Sequence, residues 1–365
     1  MRRLFALLLW AGLAFLGPQR LAAQPVAPVR VLVYPGTELL QVIHLLSDTA
    51  QLAQSTYNAE VARYFAPYKR HPAVLAARHL SRRISCDFPV RLSWAFYDFP
   101  NVKLATMRPE HMDGYETVMP LAEVQAYFQQ CVAFYHDAHF WEFYQAHAAQ
   151  RAGWVRAFEQ GMKQQQLLET IQQFYRLPRQ KPVALTLGVL NCSSYAMQSM
   201  RGINPNLPDQ YTIMVSYHQL MQGEDSLAKA PQFQPTAFTS QLVWHELGHV
   251  YLAPVFARHQ AEVNQLAYLA QQDPRAKRWS EARGSWANFL NENVTQAATS
   301  LLRVRTGKAT RAEALEPDDF YIYYPELAEI IEREYYQNQR YKNFDEFFPV
   351  LLQEFGRKHP AVAGK

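Results

Sequence analysis

Between residues 37 and 53 the apolar side chains Leu39, Leu40, Val42, Ile43, Leu45 and Leu46 recur at helical spacing, directly after the turn pair Pro35-Gly36. The spacing predicts a first helix there, and residues 57–65 and 72–80 repeat the pattern. Residues 88–99 mix apolar and polar positions in a way that predicts a short strand or an extended loop. Residues 121–174 hold two glycines, Gly153 and Gly161, and no proline, which predicts two long helices. The character changes after the basic, proline-containing stretch 176–182. Residues 183–190 and 211–217 are short, rich in β-branched and aromatic side chains, and read as strands. The second alternates Tyr211, Ile213, Val215 and Tyr217 with Thr212, Met214 and Ser216, the pattern of an edge strand to which an extended peptide can add antiparallel. A helix is expected over 239–252, introduced by Pro235 and closed by Pro254. Helical patterns follow at 259–271, 286–304, 318–339 and 344–355, with no internal repeat. The fold class expected is α+β, mainly helical: a helical N-terminal lobe over 24–180, then a lobe over 181–365 with a small sheet.

Composition narrows the class. With 365 residues, 49% hydrophobic, 13% aromatic and 19% charged, the chain has ample material for a packed core and is neither disordered nor fibrous. Its start reads Met1-Arg2-Arg3, an apolar run from Leu4 to Leu16, then Gly17-Pro18 and the small pair Ala22-Ala23. That is the layout of a secretory signal peptide over residues 1–23, and the run of 13 residues falls short of the ~20 that span a bilayer. Cleavage near Ala23 removes Arg2, Arg3 and Arg20 and no acid, leaving 33 of 36 basic residues against 32 acidic ones. A chain of net charge +1 without a basic block lacks the footprint of a nucleic-acid binder. The mature protein is expected in the periplasm or outside the cell, with no stable membrane anchor. Its three cysteines, Cys86, Cys131 and Cys192, allow at most one intrachain disulfide.

The chemistry-bearing motif is His245-Glu246-Leu247-Gly248-His249. Two histidines four apart on one helix face can share a single Zn²⁺, and the glutamate beside the first can take a proton from water held there. The motif lies among Leu242, Val243, Trp244, Val250 and Leu252, where two imidazoles and a carboxylate are costly without a partner. Gly248 inside a helix points to another element packing closely against it. A catalytic zinc takes a third protein ligand and leaves one open corner. Val255 stands where a metzincin would carry its third histidine. Among the other candidates are His259, Glu262, Glu281 and Glu292. Glu262 has Arg258 four residues before it, and Glu281 has Arg278 and Arg283 nearby, so both have ion-pair explanations. Glu292 has no base within a turn and is the choice. The histidines at 136, 139 and 147, the aromatic run 134–144, the Asn191 and Asn293 glycosylation patterns and Cys192 all have plainer explanations in solvated or core positions.

His245-Glu246-x-x-His249 followed by Asn291-Glu292-x-x-Thr295-Gln296 resembles the gluzincin branch of zinc metallopeptidases, whose downstream helix carries an N-E-x-x-S-D type signature. The resemblance implies a zincin-like catalytic lobe, one Zn²⁺ per chain held by His245, His249 and Glu292, and Glu246 as general base. Thr295 stands for the serine. Gln296 replaces the acid that orients a ligand imidazole, and the interval from His249 to Glu292 is longer than in the best-known members. The stretches VLVYPGTELLQVIHLLSD and HELGHVYLAP also resemble a bacterial secreted family of HExxH proteins of unknown function. A secreted zinc metallopeptidase acting on a peptide or protein substrate is therefore expected, with Tyr321, Tyr323, Tyr324 and His218 as unranked oxyanion donors. The alternative is a secreted binding or scaffold protein that keeps the fold and cleaves nothing.

Overall fold

Six-residue strand β4 (Val183–Gly188) is buried along its whole length, as a central parallel strand covered on both faces must be. It pairs in parallel with β1 (Val29–Leu32) on one side and β6 (Tyr211–Ser216) on the other. Three-residue β5 (Tyr195–Met197) closes the sheet antiparallel to β6, giving the order β1-β4-β6-β5. Strand β6 is therefore internal. The alternation that read as an edge strand reflects a strand with a neighbour on each side, and the antiparallel edge is β5. The structure, a computed structural model, describes residues 27–361 except 48–54, 82–87, 113–118, 192–193, 198–203, 205, 207–208, 218–232, 234–235, 283 and 317. The signal-peptide segment, Cys86, Cys192 and His218 lie outside the described residues.

The fold is α+β and mainly helical. Helix α1 (Pro35–Leu46) starts with proline in its first turn and is buried almost all round, so its polar side chains need internal partners. Thr37 Oγ1 meets Ser93 Oγ at 2.7 Å, and His44 lies between Ser81 Oγ at 3.2 Å and the Tyr127 hydroxyl at 3.3 Å. Gln41 Nε2 reaches Met214 Sδ of β6 at 4.0 Å, which seats α1 on the sheet. Helices α2 (Thr56–Tyr64) and α3 (Pro72–Ser81) follow as expected from their spacing. Residues 88–99 contain the short strand that was one of the two expectations, β2 (Phe96–Tyr97), paired antiparallel with β3 (Lys103–Leu104), preceded by a helical turn (Phe88–Arg91) and a 3-10 turn.

Where two long helices were expected, four form: α4 (Leu121–Asp137), α5 (Phe140–Ala146), α6 (Ala148–Gln164) and α7 (Leu167–Tyr175). His139 and Gln166 break the run in the left-handed conformation, at φ 50° and 51°. Neither is a glycine; directly after His139 the chain sets Phe140 and Phe143 against the ring of Phe65. Cys131 on α4 is a buried free thiol.

Helix α8 (Ala237–Arg258) begins at the Thr236 cap and runs straight through Pro254, past its expected end. Proline removes one backbone hydrogen bond, but the next turn buries Val255 and packs Phe256 against Phe348 with their rings tilted, which holds it helical. Then come α9 (Gln260–Gln265), a turn at Leu269–Gln272, α10 (Pro274–Ala282), α11 (Trp286–Arg305), α12 (Tyr324–Ile330) and α13 (Phe344–Lys358). After α12 the chain makes a π-helical stretch, Ile331–Tyr336, which lets the Tyr335 hydroxyl donate to the Phe174 carbonyl at 2.7 Å and so satisfy the end of α7. Buried apolar residues form one cluster from Val31 to Phe355, and the β1–β4 pairing crosses residue 180. No helix among the described residues is long and apolar enough to cross a membrane.

Glu38, on α1, is 1% exposed. Its Oε1 accepts the Tyr57 hydroxyl, while Oε2 has no hydrogen-bond partner. Burial raises its pKa; the Tyr57 hydrogen bond and the charges of Arg151 and His147 pull it back without cancelling the rise. The folded chain thus holds this proton more tightly than the unfolded chain. The stability it contributes is complete at acid pH and is lost as pH rises through the folded value. Glu38→Gln keeps the acceptor for Tyr57 and removes the titration. Denaturant unfolding of both proteins at about pH 5 and about pH 8 should show the variant gaining on the wild type toward the higher pH, and an equal offset at both would contradict this account.

Candidate metal centre

Residues 242, 245, 246, 249, 250 and 253 follow the helical period, so α8 turns one continuous face toward a cleft of about 900 Å³. What brings that face against α11 is the absence of a side chain at Gly248. A Cβ there would lie 2.8 Å from Thr295 Cγ2 and 3.2 Å from Tyr175 Oη, so α7, α8 and α11 meet closer than any other residue at 248 would allow. Two successive turns of α11 then present Asn291, Glu292, Thr295 and Gln296 to the two histidines.

The resulting group is tight. His245 Nε2 and His249 Nε2 are 3.3 Å apart, and Glu292 Oε2 lies 3.4 Å from the first and 3.7 Å from the second. The other ring nitrogens face amide oxygens: His245 Nδ1 donates to Gln296 Oε1 at 3.1 Å, and His249 Nδ1 to Asn291 Oδ1 at 2.6 Å. Thr295 Oγ1 lies 3.3 Å from His249 Nδ1 and donates to the same Asn291 oxygen at 3.4 Å. An amide oxygen can only accept, so both imidazoles carry their hydrogen on Nδ1 and aim an Nε2 lone pair at the centre. Two lone pairs and a carboxylate oxygen converge there, an arrangement that repels itself unless a proton or a cation sits between them. The pKa of His245 reflects this. Burial lowers it, but the hydrogen bond and charge of Glu292, with Glu246 and Gln296, outweigh burial and raise it above the usual imidazole value.

The donor set fits zinc. Ligands at about 2.0–2.1 Å in a tetrahedron stand about 3.3–3.4 Å apart, close to the three separations here. The side chains of His245, His249 and Glu292 are 13, 22 and 15% exposed, which leaves one side of the triangle open to the cleft. Among the described residues this is the one group of three or more histidines, cysteines and acids whose ligand atoms lie this close. The other candidates for the third position point elsewhere: His259 lies 3.6 Å from Glu262 and 3.4 Å from Asp345, and Glu281 sits exposed on α10.

Glu246 is 8% exposed and lines the cleft beside the triad. Of the tyrosines, Tyr321 lines the cleft with its ring centre 5.9 Å from that of His245. Tyr324 spends its hydroxyl on the Glu316 carbonyl, and Tyr323 is buried against Trp286, Phe289 and Phe355. Asn293 explains how Tyr321 is held. Fully buried, it donates to the Phe289 carbonyl at 2.9 Å and accepts the Tyr323 amide at 2.9 Å, tying the turn before α12 to α11. Neither this role nor that of Asn291 as the partner of His249 shows in the residue pattern; only their places on either side of Glu292 could have suggested them. Edge strand β5 was also unforeseen. It lies against α8.

Residues 101–353, which include α8 and α11, match a family described as a domain of unknown function, DUF4932. No curated protein and no solved structure matches the chain.

Gly248→Ala is expected to destabilise the protein by about 1–3 kcal/mol and to weaken zinc uptake, because the new methyl must displace Thr295 or Tyr175. Adding Thr295→Ser removes the nearest methyl and keeps the hydroxyl, and should restore part of both losses. Thermal unfolding with a zinc titration checks this; a single variant with unchanged melting and uptake would contradict the close crossing.

Proposed function

We propose that this chain, which belongs to the DUF4932 family, is a secreted zinc-dependent hydrolase of the metallopeptidase type, with a zincin-like catalytic lobe. The observation that carries the reading is the triangle of His245 Nε2, His249 Nε2 and Glu292 Oε2, spaced for one ion, with Glu246 adjoining it on the cleft wall. The signal-peptide pattern of residues 1–23 supports the secreted location.

When bound, zinc would supply Lewis acidity, making water a nucleophile near neutral pH and polarising the carbonyl to be attacked. The residues of the chain do the rest. Glu246 accepts the proton of the attacking water on its carboxylate and later hands it to the leaving amine. His245 and His249 are held in one tautomer by Gln296 and Asn291, so their lone pairs need no reorganisation. Tyr321 can donate its hydroxyl proton to the oxyanion that develops as water adds. Among the described residues β5 is the antiparallel edge of the sheet and lies alongside α8, a place where an extended peptide can add. A non-catalytic scaffold would have no use for Glu246.

Two substitutions separate binding from chemistry. Glu246→Gln should keep about one zinc per chain by elemental analysis while losing hydrolysis of a labelled casein, whereas Glu292→Ala should lose the metal. Tyr321→Phe should lower kcat about 10²–10³-fold with zinc content unchanged. Full hydrolysis by Glu246→Gln would remove the general base and with it this reading.

A further inference from the structure

A histidine that binds metal through Nε2 must donate its Nδ1–H outward, and the charge of the acceptor decides how much electron density the ring passes on. Here both acceptors are neutral amides, Gln296 Oε1 at 3.1 Å and Asn291 Oδ1 at 2.6 Å. A carboxylate in either place would give a hydrogen bond roughly twice as strong and add a negative charge behind the ring. The two nearby carboxylates, Glu292 on the triad and Glu246 next to His245, already balance a divalent ion. The outer partners therefore orient the rings without adding charge. The two amides are also held unequally. Asn291 Oδ1 takes a second hydrogen bond from Thr295 Oγ1 at 3.4 Å, while Gln296 makes the longer contact to His245.

We infer that Gln296 is the positioning residue that sets how tightly this centre holds its ion. Its neutral amide holds the His245 ring in place without the added charge of a carboxylate, and so limits the affinity of the centre for zinc. The inference rests on the metal-centre part of the proposed function and concerns how strongly that same site takes up its ion.

The test is a competition titration of zinc against a chromogenic chelator, on the mature full-length protein stripped of metal. Gln296→Glu, which has the same shape and adds a charge, should bind zinc at least about 10-fold more tightly than the wild type. Gln296→Met, which is similar in size and has no acceptor oxygen, should bind about 10–100-fold more weakly. Asn291→Asp should shift affinity in the same direction as Gln296→Glu. Circular dichroism of each metal-free protein establishes that it is folded; if Gln296→Met is not, Gln296→Glu against the wild type decides alone. Affinities within twofold of each other for wild type and Gln296→Glu, or weaker binding by Gln296→Glu, would overturn the inference. No substrate enters the titration, so a protein that binds zinc as expected but cleaves nothing would defeat the hydrolase reading and leave this one standing. A wild type that binds no zinc would defeat both.

Discussion

The centre depends on a missing methyl group. At Gly248 the backbone of α8 passes within contact of Thr295 on α11 and Tyr175 on α7, and the triad bridges the two helices at that approach. If α8 stood off by the width of a side chain, Glu292 Oε2 could not lie within 4 Å of both imidazoles, and Asn291 and Gln296 would lose their hold on Nδ1. Glycine inside a helix sacrifices about 1 kcal/mol relative to alanine. The packing of Leu247, Trp244 and Val250 on the same helix offsets that loss, and Trp244 is further anchored by its indole N–H on the Leu167 carbonyl at 2.9 Å.

That crossing also explains why polar groups are tolerated in an otherwise apolar helix. Imidazoles and carboxylates gathered in a half-buried place are unfavourable unless each finds a partner. Here each imidazole has an amide behind it and a shared centre in front, and, despite burial, the hydrogen bond and charge of Glu292 raise the pKa of His245. A proton can occupy the centre in the metal-free chain, and a divalent ion would satisfy all three ligands at once. Thr295 and Asn293 complete the arrangement from α11, the first bracing Asn291 and the second tying down the turn that carries Tyr321.

That His245, His249 and Glu292 come together was legible in the sequence. Two histidines four apart share one helix face, and Glu292 stood out because no base lay within reach along its own helix. What tertiary packing alone decides was not legible. His139 and Gln166 adopt left-handed backbone that neither residue favours, so the breaks between α4 and α5 and between α6 and α7 left no mark. Strand β5 is three residues long, too short for a periodic signal, and without it β6 read as an edge. Pro254 carried the usual sign of a helix end, yet Phe256 packs on Phe348 and carries α8 onward. Burial of Asn293 likewise shows only in three dimensions, although it removes that residue from any role as a surface glycosylation site.

If His245, His249 and Glu292 grip one divalent ion, X-ray absorption at the zinc edge of the metal-loaded protein should show one zinc per chain bound by two imidazole nitrogens and by oxygen at about 2.0–2.1 Å, four ligands in all. A spectrum without imidazole scattering, one with sulfur ligands, or a protein that takes up no zinc would contradict that arrangement.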